Sequence, residues 1–130
     1  MNIILERWRW YEGNFKKGIF EGKGIYYFKS GNRYEGEWKN NKREGKGIYY
    51  YKSGNRYEGE WKDDKIEGKG ILYWNNGDKY EGYWNNEVKE GKGIYYYNNG
   101  DREMGDYLND KPVGIHVILF NNGKYSTNSY

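Results

Sequence analysis

Cysteine is absent from this sequence, and histidine occurs once. Without cysteine there is no disulfide framework and no thiolate metal site, which suits a reducing, cytoplasmic setting. Aliphatic residues are scarce as well: hydrophobic residues make up 35% of the 130 positions, but aromatics alone make up 21%. A thick Leu/Val/Ile core is therefore excluded. Long apolar runs are missing; the opening MNIILERWRW holds an apolar run of only three residues before Glu6 and Arg7, which suits neither a signal peptide nor a membrane span. There is also no block of one charge. Lys and Arg number 22 against 19 Asp and Glu, and the signs alternate along the chain, as on a solvated surface. A nucleic-acid partner, which calls for a concentrated basic stripe, is not expected.

What is abundant is Gly (20), Tyr (17) and Trp (6), spread evenly. A mean hydropathy of −1.29 would suit disorder, but disordered chains are poor in aromatics. The spacing supplies the reason for the abundance. YEGEWKNNKREGKGIYYYKSGNR (34–56) is followed at once by YEGEWKDDKIEGKGILYWNNGDK (57–79). At a period of 23 residues, Tyr11, Tyr34, Tyr57 and Tyr80 align, with Glu103 fifth; Phe15, Trp38, Trp61, Trp84 and Tyr107 form a second column. Glycines keep the same phase, except that His116 takes the place of one in the fifth unit.

Each unit holds two alternating segments rich in Tyr, Trp and Ile, separated by Asn, Asp, Ser and Gly, so each is expected to be a β-hairpin. The fold class is all-β: an elongated single-layer antiparallel sheet of tandem hairpins, with about ten strands. Residues 1–10 are expected as an N-terminal half-hairpin or cap, with Ile3, Ile4 and Leu5 as strand. Repeats 1 to 4 are placed at 11–33, 34–56, 57–79 and 80–102, a degenerate capping repeat 5 at 103–125 and a loose polar tail at 126–130.

Register follows from turn chemistry. A three-residue Lys52-Ser53-Gly54 loop puts Tyr49 opposite Tyr57 and Gly47 opposite Gly59, with Gly45 facing Trp61. A two-residue Asn40-Asn41 turn puts Gly36 opposite Gly45, Tyr34 opposite Gly47 and Lys46 opposite Glu35. Tyr, Trp and the strand glycines then share one face, and Glu35, Glu37, Lys46 and Ile48 the other. Glycine inside a strand costs roughly 0.5–1 kcal/mol. Large rings lying across the bare glycine backbone would offset that cost.

The pattern Y-E-G-E-W-x6-E-G-K-G with a turn glycine resembles the MORN repeat, from Tyr11 to about Lys124. The resemblance implies an elongated, twisted sheet with an aromatic-lined groove, and a non-enzymatic scaffold at cytoskeletal or membrane-associated structures. The family commonly places His before the first glycine of its GxG, where this chain has Glu21, Glu44, Glu67 and Glu90. In the expected register Glu44 faces Glu37, a like-charge pair.

No catalytic, cofactor or metal residues are expected. His116 stands where a strand glycine belongs and has neither Cys nor a matched Ser beside it, so a space-filling role is expected. No P-loop follows a strand, and the spaced carboxylates of an EF-hand are missing. Exposed aromatic surface remains as the candidate site. Tyr34, Trp38, Tyr49, Tyr57, Trp61, Tyr80 and Trp84 are expected to line a groove for a protein or peptide segment. The alternatives are an anionic phospholipid partner at a membrane, or a targeting role within a larger enzyme such as a lipid kinase. A homodimer through the apolar terminal repeat is a further expectation.

Overall fold

The computed structural model describes residues 2–6 and 9–130, with side chains described for Ile3 and from Arg9 onward. Met1, Arg7 and Trp8, within the expected N-terminal cap, lie outside the described residues. The strands are β1 (Asn2–Glu6), β2 (Arg9–Lys16), β3 (Ile19–Tyr27), β4 (Arg33–Lys39), β5 (Lys42–Tyr50) and β6 (Arg56–Lys62). They continue as β7 (Lys65–Tyr73), β8 (Lys79–Asn85), β9 (Val88–Tyr96), β10 (Arg102–Leu108), β11 (Lys111–Leu119) and β12 (Tyr125–Ser129). All belong to one open sheet whose spatial order is the chain order, each strand antiparallel to its predecessor.

Two turn types alternate along the chain. Asn40 and Asn41 have φ of 50° and 65°, and Lys39 pairs with Lys42, which makes a two-residue type I′ turn. On the opposite edge the Gly54 N–H donates to the Tyr51 carbonyl at 3.0 Å, and Gly54 takes φ 98°, which only glycine tolerates readily. This is the expected three-residue loop, and Tyr49 faces Tyr57, Gly47 faces Gly59 and Gly45 faces Trp61.

Within the hairpin the register differs from expectation. Gly36 faces Gly47 rather than Gly45, Tyr34 faces Tyr49 rather than Gly47, and Ile48 rather than Lys46 lies opposite Glu35. A bulge is the reason: one residue, Glu37, separates Gly36 from Trp38, whereas Glu44, Gly45 and Lys46 separate their partners Arg43 and Gly47. Gly45 turns left-handed at φ 84°, and the freed Lys46 N–H donates to the Glu37 carboxylate at 2.6 Å. The expected Glu37–Glu44 opposition does not form. Because the slip is an even number of residues, every side chain keeps its face, and the face assignment survives.

The sheet also runs longer than expected, with twelve strands among the described residues. The tail at 126–130 is not loose. Thr127 pairs with Val117, and the Tyr130 N–H donates to the Gly114 carbonyl at 2.9 Å. The outer edge of β11 carries backbone groups that need partners, and a polar strand supplies them.

One layer of rings forms the core. Tyr11, Tyr34, Tyr57 and Tyr80 are 0% exposed, and Trp38, Trp61, Trp84, Ile66 and Tyr107 are buried with them. Each tyrosine lies along its strand over two facing glycines, so that a methyl on Gly47 would overlap the Tyr34 ring. The Tyr34 hydroxyl donates to the Glu37 carbonyl at 2.8 Å, and Trp38 Nε1 donates to the Gly24 carbonyl at 3.1 Å. The rings meet edge to face: Tyr34–Trp38 at 5.1 Å and 86°, then Tyr34–Trp61 at 5.2 Å and 82°. Such pairs contribute about 0.5–1.5 kcal/mol each beyond their buried area.

Candidate functional site

Six of the seven rings expected to line a groove are core residues. Tyr34, Tyr57 and Tyr80 are fully buried, Trp38, Trp61 and Trp84 nearly so, and only Tyr49 is half-buried. The burial comes from covering glycine backbone and from neighbouring rings, which leaves little of the aromatic layer facing solvent. Burial also raises the tyrosine hydroxyls; that of Tyr80 is pushed up to about 12.

The long groove lies on the other face. It encloses about 1600 Å³ and runs from Glu12 on β2 to Asp106 on β10. Its floor is bare glycine backbone flanked by Ile25, Ile48, Ile71 and Ile94, one isoleucine per repeat. Its polar lining carries seven carboxylates against four lysines, an excess of three negative charges on a chain that is +3 overall. Two of those carboxylates, Glu37 and Glu60, accept the bulge N–H groups of Lys46 and Lys69. The isoleucine column is visible in the repeat, but isoleucine among polar neighbours signals only the second face of a strand, not a groove.

A smaller hollow, about 560 Å³, opens on the aromatic face. Tyr49, Tyr57, Trp61 and Trp84 contribute to it, joined by Tyr51, Trp74, Ile66 and Leu72, with Arg43, Glu87, Lys89 and Asp110 around them. Arg43 is held by Asp64, Nε to Oδ1 at 3.0 Å, and its guanidinium lies 4.5 Å from the Trp61 ring centre. The Lys89 ammonium lies 4.9 Å from the centre of the Tyr80 ring; burial lowers its pKa, and Asp110 opposes that.

The fifth hairpin replaces the tyrosine with Glu103 and a facing glycine with His116. The imidazole, 0% exposed, takes the place of the missing phenol over Gly105. Its Nε2 meets the Asp106 carbonyl at 2.8 Å, the same relation that Tyr34 has to Glu37. A carbonyl only accepts, so Nε2 carries the hydrogen. Nδ1 faces Glu103 at 2.9 Å, and the Tyr130 hydroxyl donates to the same carboxylate at 2.8 Å. With every polar atom of the imidazole engaged and no exposure, His116 fills space and holds the last strand.

The glutamates at the family's histidine position also have a structural task. Glu21, Glu44 and Glu67 accept the N–H groups of Asn40, Asp63 and Asn86, the first residues of the next type I′ turns, at 3.1, 2.8 and 3.0 Å. Among the described residues no group of His, Cys, Asp and Glu converges as a metal site.

No curated protein matches the sequence. Among solved structures, one similar chain is the SAS-4 (dCPAP) TCP domain of Drosophila melanogaster, in complex with a proline-rich motif of Ana2 (dSTIL). It is 16% identical, with a TM-score of 0.47, over 83% of this chain and 72% of that one; likeness at that level says nothing of function. The sequence model of the MORN repeat matches residues 11–33, 34–56, 57–79 and 80–102. Those four matches run without a gap along most of the sheet, and the chain belongs to the MORN repeat family.

Proposed function

We propose that this chain is an interaction module that takes an extended, basic segment of a partner protein along the glycine–isoleucine groove. The groove's continuity across consecutive hairpins carries the reading. A linear trough with a small apolar contact in every repeat matches a chain, whereas a compact substrate needs convergent polar groups in one pocket. The excess of carboxylates selects positive charge and raises the association rate more than the affinity. Family membership supports the same reading, since MORN repeats are generally non-catalytic modules.

The test uses an array of twelve-residue peptides, basic, neutral and acidic, against the native protein and the double variant Ile48→Asp, Ile71→Asp. Basic peptides with spaced apolar residues should bind, lose affinity with added salt, and lose it with the double variant. Equal binding of acidic peptides, or full binding by the variant, would overturn the reading. Phosphoinositide vesicles serve as the competing arm: their retention without any peptide binding would favour a lipid surface instead.

A further inference from the structure

One column of the repeat is broken in mid-sheet. Positions 26, 49, 72 and 95 read Tyr, Tyr, Leu, Tyr, and the degenerate fifth unit has Ile118 there. Where tyrosine is present, its ring joins two neighbours into a continuous ladder at the edge of the aromatic layer. Tyr26 meets Phe28 at 4.7 Å, Phe28 meets Tyr49 at 5.5 Å, and Tyr49 meets Tyr51 at 4.8 Å. The ladder resumes with Trp74–Tyr95 at 5.2 Å and Tyr95–Tyr97 at 4.7 Å. Between Tyr51 and Trp74 stands Leu72, which cannot continue it, and the 560 Å³ hollow lies there.

The polar partner of the missing ring is still in place. Asn32 Nδ2 donates to the Tyr49 hydroxyl at 3.1 Å. Asn55 is the residue one repeat later; its Oδ1 accepts the Asn75 N–H at 3.0 Å, as Asn32 Oδ1 accepts that of Lys52. Its Nδ2 meets no tyrosine hydroxyl, because position 72 has none to offer. The flanking cations add to this. Arg43 and Lys89, the counterparts of Ile66 one repeat before and after, border the hollow, and a cation is attracted to the electron-rich face of a phenol.

We infer that the hollow at Leu72 receives one tyrosine side chain from a partner protein, which completes the aromatic ladder and accepts a hydrogen bond from Asn55. That the ring comes from a protein rests on the interaction reading. The site itself does not, because it lies on the opposite face from the groove. A phenol is preferred to a benzene ring by the Asn55 contact, and to an aliphatic group by the stacking with Tyr51 and Trp74.

p-Cresol, the tyrosine side chain in isolation, is the probe, with toluene for comparison, followed by the NMR resonances of Tyr51, Trp74 and Trp84. Saturable shifts are expected with p-cresol, about fivefold tighter than with toluene, the worth of one hydrogen bond. Leu72→Tyr, which restores the repeat, should abolish them while the protein stays folded by its thermal midpoint. Leu72→Phe is the second filling variant should the first misfold, and Asn55→Ala should remove the preference for p-cresol over toluene. No saturable shifts in the native protein, or equal shifts in a folded Leu72→Tyr or Leu72→Phe protein, would overturn the inference. Peptide binding in the groove is measured separately on the Ile48→Asp, Ile71→Asp variant, so either reading can fail alone.

Discussion

Gly47 and His116 occupy equivalent positions, yet one must be bare and the other fully bears a ring. The difference lies in the facing strand: Tyr34 already covers Gly47, whereas Glu103 leaves the space over Gly105 open for His116. The exchange is therefore reciprocal, and it can be transplanted. Gly47→His alone should lose about 3 kcal/mol or more in urea unfolding, since its ring overlaps Tyr34. Adding Tyr34→Glu should recover much of that loss, with a coupling of roughly 2 kcal/mol in the double-mutant cycle. Additive losses would show that the two positions do not share one space. Trp61→Ala belongs to the same scale. Trp61 is 4% exposed and its Nε1 donates to the Gly47 carbonyl at 3.3 Å, so truncation should destabilise by about 3–5 kcal/mol. Because Trp61 also borders the 560 Å³ hollow, weaker partner capture in this variant would report lost stability together with a changed hollow, and it does not test the groove.

At the scale of the hairpin, the bulge and the turn stitching determine the geometry. The left-handed Gly45 shifts the pairing by two, and Glu37 accepts the N–H this frees. Glu44 then reaches the N–H of Asp63 in the next turn at 2.8 Å, so each hairpin caps its successor. Glu44→Ala should cost about 0.5–1.5 kcal/mol, the net worth of one such bond, while Glu44→Gln, which keeps an acceptor oxygen, should cost less than half of that. Chemical denaturation of the two variants side by side checks this; equal losses would mean that charge rather than the hydrogen bond matters.

The whole molecule is a row of neighbours. Strands pair only with those adjacent in sequence, so its stability is close to a sum of hairpin and interface contributions. The tyrosine layer gives that sum an alkaline limit. Burial holds the Tyr34, Tyr57, Tyr80 and Tyr107 hydroxyls above their ordinary value of 10.0, Tyr80 up to about 12. The unfolded chain releases these protons near pH 10 while the folded chain keeps them. The tyrosine contribution to stability should therefore be level below pH 10 and fall from there through pH 12, by about 1.4 kcal/mol per pH unit for each tyrosine. Thermal midpoints across pH 8 to 12 check the slope. A flat profile would mean the rings are not sealed from water.

Much of this was decided locally. The 23-residue period, the alternation and the turn residues were enough to determine the hairpins, the two faces and the Tyr49–Tyr57 register, because each depends on backbone preferences within a few residues. The slip between β4 and β5 was not legible, since a two-residue turn at Asn40-Asn41 permits either pairing until Gly45 turns left-handed. Nor was the location of the open surface. Tyr34 and Trp61 read as binding residues by type, but whether a ring faces solvent depends on the next repeat's ring lying against it. Burial of that kind is a property of strands stacked in space. Tertiary structure alone put the tyrosines inside, the groove over the isoleucines, and a vacancy where Leu72 interrupts the ladder.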